Sequence, residues 1–180
     1  MPAWLNLPNI VTLARLASVP FLAWAIGSGR YGRAAALFLF AAITDSLDGM
    51  LARRRKAITK AGAYLDPIAD KVLLSAVFIA LAVRGDAPIW YVAIVLGRDA
   101  LILAFAAAAL QFTSYRSFAP SRLGKASTFF QIVVAVSLIV RGMLPAPFVV
   151  AFAAATLALS ATATMASGVH YGWRAFRDKG

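Results

Sequence analysis

The sequence contains no cysteine, no glutamate and a single histidine, His170, among 180 residues. Without cysteine there is no disulfide and no thiolate-bound metal. A lone histidine builds no metal site. Charge is scarce too, at 14% of residues. No internal repeat, low-complexity tract or flexible linker interrupts the chain. Residues 1–7, MPAWLNL, lack the charged region that precedes the apolar run of a secretory signal, so a cleaved leader is not expected.

What is there is mostly apolar. Hydrophobic residues make up 62% and the mean hydropathy is +0.79, which suits a polytopic membrane protein and not a soluble one. The length suits one domain over residues 1–180. The expected fold is all-α, with six transmembrane helices after a short interfacial N-terminal segment carrying Trp4. Apolar runs place helices over residues 8–26, 34–53 and 89–112. A third helix, its start shaped by Gly62 and Pro67, ends near residue 83. A fifth follows a loop over 113–125 and ends near 140; a turn over 142–147 leads to a sixth, ending near 168. The Ala/Ser/Thr-rich sixth helix is suited to close packing. The tail from His170 onward is basic and aromatic, an interfacial composition.

The net charge of +11 indicates basic loops beside anionic lipid rather than nucleic-acid binding. Six spans put both termini on one side. That side holds Arg53, Arg54, Arg55, Lys56, Lys60, Arg116, Arg122, Lys125, Arg174, Arg177 and Lys179; the other holds only Arg30, Arg33, Arg84 and Arg141. The positive-inside rule therefore puts the termini in the cytoplasm of a cell whose cytoplasmic membrane carries the protein.

Four of the seven acidic residues lie in one stretch, residues 45–70, DSLDGMLARRRKAITKAGAYLDPIAD. Ionisable groups at a membrane boundary are costly and mark function. Asp45, Asp48, Gly49, Ala52 and Arg53 fall at i, i+3, i+4, i+7 and i+8, one face of a helix. Gly62, Asp66 and Asp70 fall at i, i+4 and i+8, one stripe of a second. The basic loop between them lets the helices run antiparallel with the stripes opposed. Four carboxylates in one small volume require a cation to remain ionised. Hard oxygen ligands favour Mg²⁺ or Mn²⁺, and four carboxylates suffice for two ions. Gly49, Ala52 and Gly62 lack bulk, so a ligand can approach the backbone. Arg53 offers a forked guanidinium to phosphate. Together these fit a nucleotide diphosphate. Lys71, next to Asp70, either offsets part of the acidic charge or merely flanks the helix.

The stretch reads D-x-x-D-G-x-x-A-R, eight residues, then G-x-x-x-D-x-x-x-D. It resembles the signature of the CDP-alcohol phosphotransferase family at every specified position. The resemblance implies phosphatidyl transfer from CDP-diacylglycerol to an alcohol, with release of CMP, at a site facing the cytoplasm. It implies that Asp45, Asp48, Asp66 and Asp70 hold metal, with Asp70 also the base. It further implies that Gly49, Ala52, Arg53 and Gly62 contact the CDP moiety, and that the enzyme is a homodimer.

Outside the signature the resemblance is weaker. The opening Asn6-Leu-Pro-Asn9, with Thr12 and Arg15, is shared by phosphatidylglycerophosphate synthases and CMP-forming cardiolipin synthases. Thr12 and Arg15 are candidates for the acceptor site; the plain alternative for Arg15 is snorkelling to the interface. Arg98-Asp99 and the segment from Leu123 to Phe129 resemble the cardiolipin synthases. Glycerophosphate enzymes tend to carry a further lysine at the position of Ser127. Arg116, Arg122 and Lys125 remain as acceptor-binding cations. The expected acceptor is phosphatidylglycerol, giving cardiolipin; the alternative is glycerol 3-phosphate, giving phosphatidylglycerophosphate. Arg98 and Asp99 sit at mid-depth, where buried ion pairing is the expected role; since adjacent residues diverge on a helix, each is expected to find its partner on another helix. An intramembrane prenyltransferase would need more helices and lacks the G-x-x-A-R continuation. A cation transporter would need acidic residues in the outer half of the bundle.

Overall fold

In the computed structural model the backbone is described for residues 7–55, 60–112 and 122–177, and side chains for 11–44, 68–104 and 124–168. The described residues form six α-helices and no strand. They are α1 (Leu7–Gly27), α2 (Tyr31–Arg55), α3 (Lys60–Val83), α4 (Ile89–Phe112), α5 (Arg122–Met143) and α6 (Pro147–Arg177).

The chain divides into two compact units, Met1–Asp86 and Ala87–Gly180. In the first, α1 packs against both α2 and α3. Leu22, Ala25 and Ile26 of α1, Ala34 and Phe38 of α2, and Val77, Phe78 and Leu81 of α3 are buried in its core. In the second unit α6 packs against both α4 and α5. Buried Thr156, Ser160, Thr164 and Ser167 fall at i, i+4, i+8 and i+11 along α6. Tyr91 of α4 shares a hydrogen bond with Ser160 (2.8 Å). Ser127 and Ser137 of α5 share theirs with Thr164 (3.0 Å) and Thr156 (3.1 Å). Small hydroxyl residues thus bring the helices close and meet one another's polar atoms.

Large apolar side chains cover much of the outer surface, among them Phe21, Leu39, Phe129, Phe148 and Phe152, each more than half exposed. Two helical stretches among the described residues, Gly124–Met143 and Pro147–Gly168, are long and apolar enough to cross a membrane. The apolar stretches Val11–Gly27 and Tyr31–Thr44 are shorter.

The helix ends refine the sequence reading. α4 has the expected limits. α2 begins at Tyr31, three residues early, because the turn before it needs only one left-handed residue. Gly29 takes that place at φ 69°. Its N–H donates to Ile26 O (2.8 Å), and Arg30 N–H donates to Ala25 O (2.8 Å). This is a Schellman cap, which closes a helix on glycine. Gly85, at φ 83°, ends α3 in the same way, with Gly85 N–H on Ala82 O and Asp86 N–H on Leu81 O. Arg122 and Lys125 lie inside α5, not in a loop. α6 continues past residue 168 to Arg177, since no proline follows to stop it.

The two capped turns of the first unit are tied by Arg84. Its Nε donates to Tyr31 Oη (2.7 Å), its Nη1 to Gly27 O (3.2 Å), and it lies 3.4 Å from Asp86 Oδ2. Tyr31 Oη in turn donates to Asp86 Oδ2. A Cβ on Gly29 would stand 2.6 Å from Arg84 Nη2, whereas one on Gly85 would meet nothing within 4 Å. Gly29→Ala is expected to cost about 1–3 kcal/mol from the left-handed backbone alone, plus displacement of Arg84. Gly85→Ala meets only the backbone term. Thermal unfolding in detergent checks the ordering. Equal losses in the two variants would mean that the Arg84 contacts add nothing.

Candidate active site

The acidic stretch spans the end of α2 and the start of α3. α2 is one unbroken helix to Arg55, so Asp45, Asp48, Gly49, Ala52 and Arg53 occupy a single helix with the expected spacing. α3 likewise carries Gly62, Asp66 and Asp70 on one helix from Lys60 onward. The opposition of the two stripes falls on the side chains of residues 45–67, which lie outside the described residues. Trp4 and Arg116 also lie outside them, as does the side chain of Arg122.

Asp70 is the member of the acidic set whose side chain is described. It stands on α3 between buried Ala69 and Lys71, with 47% of its side chain exposed. Arg15 of α1 reaches it across the α1–α3 packing: Arg15 Nη1 donates to Asp70 Oδ1 at 2.6 Å. Arg15 is 2% exposed, so it does not snorkel. Thr12, one turn before Arg15, is buried as well. Thr12, Arg15 and Asp70 thus belong to one packed level of the first unit. The exposed Lys125 stands in the first turn of α5, in the other unit.

Among the described residues no group of three or more His, Cys, Asp or Glu side chains gathers to hold a metal. Asp45, Asp48 and Asp66 fall outside that set. Asp70, a half-exposed carboxylate, has the donor chemistry that Mg²⁺ or Mn²⁺ takes.

The buried ion pairing expected of Arg98 and Asp99 is present, but between the neighbours themselves, Arg98 Nη1 donating to Asp99 Oδ1 at 2.8 Å. Both are buried. The arginine side chain is long enough to fold back along the helix, and burial of both charges rewards the direct contact. Arg98 also bridges helices, its Nη2 donating to Ser167 of α6 at 2.9 Å. Two features went unread in the sequence. One is the Tyr31–Arg84–Asp86 tie. The other is Gln131, wholly buried on α5, whose Nε2 lies 3.5 Å from Ser127 Oγ. The four-residue spacing of Ser127 and Gln131 was the available signal.

Apolar helices that carry carboxylates at helical spacing on two successive helices suit a class of membrane protein that handles a phosphate-linked group. Comparison with known proteins narrows it. Residues 5–166 match the family model described as CDP-alcohol phosphatidyltransferase. The chain is similar to a probable phosphatidylglycerophosphate synthase of Mycobacterium tuberculosis, 40% identical over 97% of this chain and 84% of the relative. It is similar to a CDP-diacylglycerol–glycerol-3-phosphate 3-phosphatidyltransferase of Bacillus subtilis, 34% identical over 96% of this chain and 97% of the relative. It also resembles a cardiolipin synthase (CMP-forming)/mitochondrial hydrolase fusion protein of Schizosaccharomyces pombe, 34% identical over 92% of this chain and 30% of the relative. The chain belongs to the CDP-alcohol phosphatidyltransferase family. It is an enzyme of phospholipid synthesis that moves a phosphatidyl group from a CDP-linked donor to an alcohol.

Proposed function

We propose that the acceptor is phosphatidylglycerol and the product cardiolipin, with CMP released. The observation that carries this choice is Ser127. Glycerol 3-phosphate brings a phosphomonoester near charge −2 to a site rich in carboxylate and diphosphate, and binding it well calls for several dedicated cations. Glycerophosphate enzymes tend to place a lysine where this chain has Ser127. Here that position is 0% exposed, and its hydroxyl is engaged by Thr164 Oγ1. It supplies no positive charge. Phosphatidylglycerol carries one negative charge on a diester and is already held in the bilayer by its acyl chains, so the serine costs it little. The second reading, glycerol 3-phosphate as acceptor, is favoured by the names of the Mycobacterium and Bacillus relatives. Purified enzyme with labelled CDP-diacylglycerol decides between them. Phosphatidylglycerol is expected to give CMP and cardiolipin, with glycerol 3-phosphate a poor acceptor. Rapid CMP release with glycerol 3-phosphate and none with phosphatidylglycerol would overturn the choice.

In this reading Asp70 accepts the proton of the attacking hydroxyl. The acceptor oxygen bonds to the phosphorus that bears diacylglycerol, and the bond from that phosphorus to the CMP oxygen breaks. Gly49, Ala52 and Gly62 leave room for the CDP moiety, and Arg53 pairs with its phosphates. Asp45, Asp48, Asp66 and Asp70 would hold two Mg²⁺ or Mn²⁺ ions. When bound, such ions neutralise the diphosphate and stabilise the departing CMP. Thr12, Arg116, Arg122 and Lys125 are the acceptor-side candidates.

All six helices span the membrane in this reading. Their lengths, 21–31 residues, correspond to roughly 31–46 Å at 1.5 Å per residue, against about 30 Å of hydrocarbon. The apolar outer surface supports the same placement, since such area is disfavoured in water. The charge bias puts the active site in the cytoplasm, where CDP-activated donors are made. The chain has no cysteine of its own, so single introduced cysteines report topology cleanly. Lys60→Cys and Arg177→Cys are expected to label only from the cytoplasm, and Asp86→Cys only from outside. The reverse pattern would refute the orientation. A homodimer completes the reading; a monomeric mass in mild detergent, with full activity, would count against it.

A further inference from the structure

Among the described residues the largest wholly buried side chain is a charged one, Arg15. A guanidinium among apolar helices is tolerated where its charge is met by an opposite one. Arg15 meets a carboxylate at 2.6 Å, the short distance of a charge-assisted hydrogen bond. On the same helix Thr12, one turn before, is buried as well, and Ser18 Oγ caps the Arg15 carbonyl locally at 2.6 Å. Asp70 differs: 47% of its side chain is exposed. One partner of the ion pair is buried in the bundle, and the other is half exposed.

That asymmetry has a consequence for catalysis. Packing alone restrains a half-exposed aspartate less than a buried one. A general base must nonetheless stand within hydrogen-bond reach of one particular proton. A buried guanidinium presents its Nη1 donor from a fixed place, which restricts the position of the carboxylate oxygen that accepts from it. We infer that Arg15 is a positioning residue that fixes the Asp70 carboxylate for proton transfer and does not itself bind the acceptor. This departs from the acceptor-binding role that the family resemblance implies for Arg15. It rests on the reading of Asp70 as the base.

The test is a split of kcat from acceptor KM, measured with whichever acceptor the purified enzyme uses. Misplacing a catalytic group by about 1 Å costs on the order of 10²-fold in rate. Arg15→Gln is therefore expected to lower kcat by about that factor, with acceptor KM changed less than about threefold. Arg15→Lys keeps the charge without the fork and is expected to fall between Arg15→Gln and the parent. In an Asp70→Asn background Arg15→Gln is expected to change the residual rate little, because two residues that act as a unit are not additive. A large rise in acceptor KM with kcat retained at saturation would overturn the inference and make Arg15 an acceptor ligand. So would an equal rate loss from Arg15→Gln in both backgrounds. If Arg15→Gln fails to fold in detergent, Arg15→Lys decides by the same split. An active Asp70→Asn enzyme would defeat the reading of the base; an inactive Asp70→Asn beside a near-normal Arg15→Gln would defeat only the inference.

Discussion

Asp70→Asn is expected to lower kcat by about 10²–10⁴-fold, the range that general bases contribute, while leaving CDP-diacylglycerol binding nearly intact. A base at Asp70, as proposed, would act on the attacking hydroxyl in the transition state, so its removal would be felt in turnover more than in donor affinity. Asparagine keeps the size of aspartate and an oxygen that can accept from Arg15 Nη1, which spans the α1–α3 packing. The helices therefore stay together, and the variant reports chemistry. The check is a single-turnover rate beside a direct binding measurement. If donor affinity collapses as completely as the rate, Asp70 is chiefly a metal ligand.

Chelation is expected to have a comparable effect. Stripping divalent cations with EDTA should abolish CMP release, and Mg²⁺ or Mn²⁺ should restore it. Neutralising the diphosphate is worth several kcal/mol of transition-state stabilisation, so about 10³-fold or more in rate is at stake. Asp45→Asn, Asp48→Asn and Asp66→Asn should each lose activity and weaken Mn²⁺ binding measured on the protein itself. Two ions per chain are expected in the parent. Full activity in EDTA, or near-parental rates in any two of these variants, would end the metal-site reading.

How much of this was legible in the sequence depended on the physics of each feature. The helices were legible because an apolar chain advertises its turns through Gly, Pro and charge. Arg84, Gly85, Asp86 and Pro88 mark one such turn, and α4 starts after it at the expected residue. Ends set by a single backbone conformation were harder. Nothing in composition says that Gly29 alone suffices to turn the chain ahead of Tyr31. The acidic pattern was legible because helical spacing is local, and α2 and α3 keep that spacing. Pairings between distant residues were not. Arg15 and Asp70 lie 55 positions apart, and only packing brings them to 2.6 Å. Arg98 and Asp99 were legible in part: buried pairing and a bond from Arg98 to another helix are present, but the direct contact between the two neighbours was not foreseen. Backbone geometry separates neighbours on a helix, but a long side chain in a buried site returns to its neighbour. The hydroxyl stripe of α6 was readable as small residues suited to packing; which of them bond to which helix was not.

The two units differ in where their shared helix lies along the chain. In the first, α1 contacts both companions, and it is made before them. In the second, α6 contacts both companions, and it is made after them. During synthesis α2 and α3 can therefore dock on α1 as they emerge. The α6 hydroxyls that meet Tyr91, Arg98, Ser127 and Ser137 come only with the last helix. A chain cut before residue 147 would keep the central helix of the first unit and lose that of the second.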